Sequence, residues 1–147
     1  MQINESYPLT EDQIARYRRD GFIALDHVIT GQSLDRLRTA VESAVEQEKS
    51  LPTGTTKTPY EQIFIQKVNL WRRHPIVAEF VTCKRFGDIA AKLSGKPVRV
   101  WHDQALFKEP REGAKTPWHQ DAHYWPHHDR ADPITIWIAR KDATIHN

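Results

Sequence analysis

His119 and Asp121 stand two apart in the run Thr116-Pro117-Trp118-His119-Gln120-Asp121-Ala122-His123-Tyr124-Trp125-Pro126. In extended backbone, residues two apart point to the same face, so an imidazole and a carboxylate enter one space while Trp118 and Gln120 turn away. These are two of the three ligands of a 2-His-1-carboxylate facial triad, which holds non-heme Fe(II) and leaves coordination positions open. Spacing alone is a weak signal. With 8 histidines and 19 acidic residues in 147, chance supplies about one His-x-acid triplet. The chain has two, the second being His127-His128-Asp129. That triplet lies in a polar connection ended by Pro133, where a turn is expected and alternation is not enforced, so the first pair is the expected metal site. A simpler use of the same residues is a divalent-metal binder built from His119, Asp121 and His123 or His127, with Zn²⁺ as the ion.

The rest of the chain must position this stretch. Its 147 residues, 39% hydrophobic and 27% charged, suit one globular domain, residues 1–147, around a single core. A net charge of +2 without a long basic stripe argues against a nucleic-acid partner. Arg16, Arg18 and Arg19 read as the solvated face of a helix. Cys83 is the single cysteine, which excludes an internal disulfide and fits a small buried hydrophobe better than a nucleophile. No apolar run approaches the roughly 18–20 residues of a membrane span, and no basic-then-apolar leader opens the sequence. The expectation is a cytoplasmic protein with a small-molecule substrate, no nucleic acid and no membrane partner.

The first helix is announced by Thr10 with Gln13 three residues on, a capping box, and it is expected to stop at Gly21. Residues 22–25 read as a short strand. Over residues 32–49, Leu34, Leu37, Val41, Ala44 and Val45 recur at three and four, the stripe of an amphipathic helix. Residues 51–59 form a loop. Residues 63–70 read as a strand in which Lys67 is the polar exception; such a lysine ordinarily reaches water from a sheet edge. Two short helices follow, over 75–81 and 84–93. Residues 98–107 alternate: Val98, Val100, His102, Gln104 and Leu106 share one face, and Arg99, Trp101, Asp103, Ala105 and Phe107 the other. In residues 134–138, three isoleucines face one way and Thr135 and Trp137 the other.

Trp118-His119-Gln120-Asp121, followed by Tyr124-Trp125-Pro126 and Ile134-Thr135-Ile136-Trp137-Ile138-Ala139, resembles the phytanoyl-CoA dioxygenase family, with agreement running from about Leu9 to Thr144. The resemblance implies an α+β fold: a double-stranded β-helix, or jelly-roll, braced by N-terminal helices. It implies Fe(II) as metal, with 2-oxoglutarate and O₂ as co-substrates, oxidative decarboxylation of 2-oxoglutarate, and hydroxylation of a substrate C–H bond. Carried over residue by residue, His119 and Asp121 bind the metal, and Lys67, Gln104 and Trp137 contact 2-oxoglutarate. Tyr124 and Trp125 stand at the substrate. The family's second iron histidine and its 2-oxoglutarate arginine lie far downstream, beyond Asn147. An incomplete jelly-roll is therefore expected, with apolar surface open near Trp118, Trp125 and Trp137. Such a chain would bind Fe(II) weakly and turn over little, and a catalytically inactive remnant is the other outcome of that incompleteness.

Overall fold

In the computed structural model, which describes residues 2–49, 64–108, 116–121, 125, 133–142 and 144, helix α1 (Glu11–Asp20) opens on the expected box. The Thr10 hydroxyl accepts from the Gln13 amide at 3.2 Å, and the Gln13 side chain accepts from the Thr10 amide at 2.9 Å. Two amides that the helix cannot satisfy internally are thereby paired. Gly21 ends the helix with φ 80°, a left-handed conformation that a β-carbon disfavours, and its N–H donates to the Tyr17 carbonyl.

Helix α2 (Gly31–Lys49) turns Leu37, Val41, Ala44 and Val45 into the core, the stripe expected from the sequence. Helix α3 (Pro75–Val81) starts with proline at its first position, where no backbone donor is lost, and buries Val77 and Phe80. Helix α4 (Lys84–Ser94) buries Phe86, Ile89, Ala90 and Leu93 on one side and closes at Gly95. Phe80, Ile3 and Leu70 are the largest of the fully buried side chains, so the core lies where the N-terminal 3-10 turn (Gln2–Asn4), α2, α3 and the Leu70–Arg72 turn meet. Cys83 sits in this core, and burial pushes its thiol pKa up, as befits an inert hydrophobe.

Strands β1 (Phe64–Val68) and β2 (Gln104–Lys108) pair antiparallel, with Lys67 opposite Ala105 and Val68 opposite Gln104. Opposed residues share a face. Ala105 and Phe107 pack toward the helices, whereas Val68, Gln104 and Leu106 face outward and are exposed. The described residues thus form an α+β unit, a helical layer against one face of a two-stranded sheet. These two strands alone do not make a double-stranded β-helix.

Three expected strands are corrected. Residues 22–25 form no strand, and Phe22 is 74% exposed, with no ladder among the described residues to fix it. Residues 98–103 lie outside the sheet because β1 is five residues long and is filled by residues 104–108. Residues 134–138 join no ladder among the described residues; Ile138 packs against the core, and the chain just beyond is tied by side chains. Arg38 donates from Nε and Nη2 to the Arg140 carbonyl at 2.9 and 2.7 Å, and the Arg140 guanidinium lies 4.3 Å from the Phe107 ring centroid. Burial in this contact lowers the Arg140 pKa.

Candidate metal centre

His119 and Asp121 converge, although their segment joins no described sheet. The Nε2 atom of His119 faces Oδ1 of Asp121 at 3.4 Å, with both side chains a little under half exposed. The Nδ1 atom lies 2.8 Å from the Pro117 carbonyl oxygen. A carbonyl can only accept, so Nδ1 carries a ring hydrogen, and in the neutral imidazole the lone pair is then on Nε2, the side turned toward the carboxylate. This is the arrangement in which a backbone carbonyl orients a ligating imidazole. Two donor atoms each about 2.1 Å from one ion stand roughly 3 to 3.5 Å apart at angles between square and tetrahedral. The pair therefore fits two adjacent ligands of a divalent metal. Among the described residues, no group of three or more His, Cys, Asp or Glu forms a complete cage. His123, His127, His146 and the rejected His127-x-Asp129 triplet lie outside the described residues.

The other expected site residues divide between the two faces of the sheet. Gln104 is outward and exposed. Trp137 is 71% exposed, while its neighbour Ile138 packs against the core, so the indole points away from the helices. Lys67 goes the other way. Its ammonium donates to the Glu48 carbonyl at the end of α2, at 2.8 Å, on the same side as Ala105. Lys67 and Gln104 are thus not brought together. Trp125 meets Trp101 and His102 in edge-to-face contacts, with centroids 5.2 and 5.7 Å apart. Tyr124 lies outside the described residues.

Sequence reasoning missed this ring cluster. It placed Trp101 and His102 on opposite faces by alternation, and alternation has no hold on residues outside a ladder. It also missed Glu48, which is buried and accepts from Arg73 Nε at 2.7 Å and lies 3.1 Å from His74 Nε2. The hydrogen bond from Arg73 holds the Glu48 carboxyl below the usual range, against the opposing effect of burial. A groove of about 570 Å³ opens between α2 and α3, lined by Arg36, Ser43, Gln47, Arg73 and His74 among others. Its charged walls are already engaged, Arg36 with Glu79 and both Arg73 and His74 with Glu48. None of the candidate metal or co-substrate residues lines it, so the groove is a seam between helices and not the site.

The sequence model of the family described as Phytanoyl-CoA dioxygenase (PhyH) matches residues 17–147. The chain belongs to the phytanoyl-CoA dioxygenase family. It is 28% identical to L-proline trans-4-hydroxylase of Streptomyces griseoviridis, over 97% of this chain and 53% of that protein. It is 23% identical to Ectoine dioxygenase of Sphingopyxis alaskensis, over 95% and 47%. Against the human protein named "Phytanoyl-CoA dioxygenase, peroxisomal" the identity is 24%, over 95% and 45%. The chain spans about half the length of these curated relatives. No solved structure matches it significantly. The family takes its name from a dioxygenase, an oxidoreductase class of reaction. No helix among the described residues is long and apolar enough to cross a membrane.

Proposed function

We propose that this domain carries the metal-binding motif of a non-heme Fe(II)/2-oxoglutarate-dependent dioxygenase of the jelly-roll type, acting in the cytoplasm on a C–H bond of a small molecule. The observation that carries the reading is the His119–Asp121 pair, its tautomer set by the Pro117 carbonyl, inside the segment that gives the family resemblance. Bound there, Fe(II) with 2-oxoglutarate and O₂ would supply oxidative decarboxylation and C–H oxidation. The chain's own contribution is to present one nitrogen and one oxygen donor and to shape the surrounding walls. Gln104 and Trp137, both turned away from the helical core, are the residues offered to 2-oxoglutarate. Lys67 joins them only if its ammonium leaves the Glu48 carbonyl. Trp125, with Tyr124 beside it in sequence, is offered to the substrate. The named substrates of the relatives include proline and ectoine, which favours a small substrate here.

The test is succinate release on incubation with Fe(II), ascorbate, O₂ and 2-oxoglutarate. Oxygen-dependent succinate is expected only at a low level, since the described residues offer two metal donors and no third, and it should disappear in both His119→Ala and Asp121→Ala. Succinate formation that survives Asp121→Ala would overturn the assignment. Metal retention without succinate would leave a binding module in place of an oxygenase.

A further inference from the structure

Trp101 and His102 precede β2 directly, and their rings lie edge to face, 4.2 Å between centroids. Both meet Trp125, which stands four residues beyond Asp121. Four residues of extended chain span at most about 14 Å, so whatever fixes Trp125 limits how far Asp121 can move. The other end of the cluster is itself fixed. Asp103, next in sequence to His102, accepts the Trp71 amide on Oδ1 at 3.1 Å and the Asn69 amide on its carbonyl at 2.9 Å. Trp71 packs against the hydrophobic core. A continuous path therefore runs from the core through Asp103 to the Trp101–His102 rings and on to Trp125.

We propose that Trp101 and His102 are positioning residues for the metal pair: through Trp125 they hold the segment bearing His119 and Asp121 against the start of β2. The proposal rests on the reading of His119 and Asp121 as metal ligands. Neither ring needs to touch the metal or the reacting atoms. Their effect is to narrow the set of conformations open to the segment, so that fewer must be given up when both donors engage one ion. Edge-to-face aromatic contacts add attraction beyond area burial, and an aliphatic side chain cannot reproduce it.

Two readouts test this, Co(II) affinity by calorimetry and amide hydrogen exchange over residues 118–121. Trp101→Leu is expected to weaken Co(II) binding by about two- to tenfold and to speed exchange over 118–121, with exchange in α2 and α4 unchanged. Trp101→Phe should recover much of the loss, and Trp101→Leu added to Trp125→Leu should cost nothing further. Full additivity of the two leucine variants, or unchanged affinity and exchange in both, would overturn the proposal. The contact can also be read without a large-to-small change. Two indoles 5.2 Å apart and inclined at 69° should give an exciton band in circular dichroism. That band should vanish in Trp125→Phe and persist in Trp118→Phe; its persistence in Trp125→Phe would overturn the proposal. Parent protein that binds Co(II) no better than His119→Ala would sink the metal reading itself. Binding that needs His119 but is indifferent to Trp101→Leu would sink only the positioning role.

Discussion

Asp121 offers its Oδ1 atom to the same space as His119 Nε2, whereas Asp129 belongs to the triplet rejected on turn chemistry. Asp121→Ala is therefore expected to weaken divalent-metal binding by about a hundredfold or more, beyond the usual effect of losing a supporting residue, with Asp129→Ala close to parent. Equal losses in a calorimetric titration would contradict the pairing. The sequence suggested the pair through a two-residue offset in extended backbone. The segment joins no ladder among the described residues, however, and Asp121 has 3-10 backbone, so the approach of the two side chains rests on local geometry that alternation does not supply. The tautomer of His119 was not legible, since it depends on where the Pro117 carbonyl points. Lys67 shows the same limit. Its place in an apolar strand marked it as unusual, but its acceptor, the Glu48 carbonyl, lies at the end of a helix remote in sequence. Lys67→Met keeps the stem and removes the donor to a helix-end carbonyl, so a loss of about 1–2 kcal/mol in urea unfolding is expected.

The helices were legible nearly to the residue because capping box, apolar stripe, leading proline and closing glycine all act locally. Of the expected strands, residues 63–70 hold β1 and the end of residues 98–107 holds most of β2. Residues 22–25 and 134–138 join no ladder among the described residues, because a strand exists only when a partner lies alongside, and the partner is set by the rest of the fold. What sequence patterns hide is the set of side chains that tie elements together. Glu48 joins the end of α2 to Arg73 and His74, just ahead of α3. Its folded pKa is lowered from the ordinary 4.5. The stability it contributes is complete above about pH 4.5 and is lost as the pH falls through the lower folded value. Glu48→Gln should therefore flatten the acid limb of a plot of unfolding midpoint against pH, leaving a gap from parent at neutral pH that closes in acid. Arg38 makes the corresponding tie for the segment that carries Trp137. Arg38→Ala should speed amide exchange over residues 136–140 with α4 unaffected, and uniform protection would show that the segment is held by other contacts.

Among the described residues the core lies on the helical side of the sheet, where Lys67 also points, while Gln104 faces the other way. Phe80→Ala, at 1% exposure in the parent, should cost about 3–5 kcal/mol in chemical denaturation. It should leave the His119–Asp121 geometry, and hence metal affinity of the folded fraction, close to parent. The same division reaches the five tryptophans. Trp71 packs against the core, Trp101 and Trp125 cover one another, and Trp118 and Trp137 stand largely in water. The intrinsic fluorescence of the chain should accordingly be composite, a blue component from the packed indole over a red one from the hydrated pair. Acrylamide should strip the red component first. Since Trp118 is the residue immediately before His119, a quenching ion that docks at the pair should darken the red edge while the blue emission persists, so the chain carries its own optical gauge of occupancy without an attached dye.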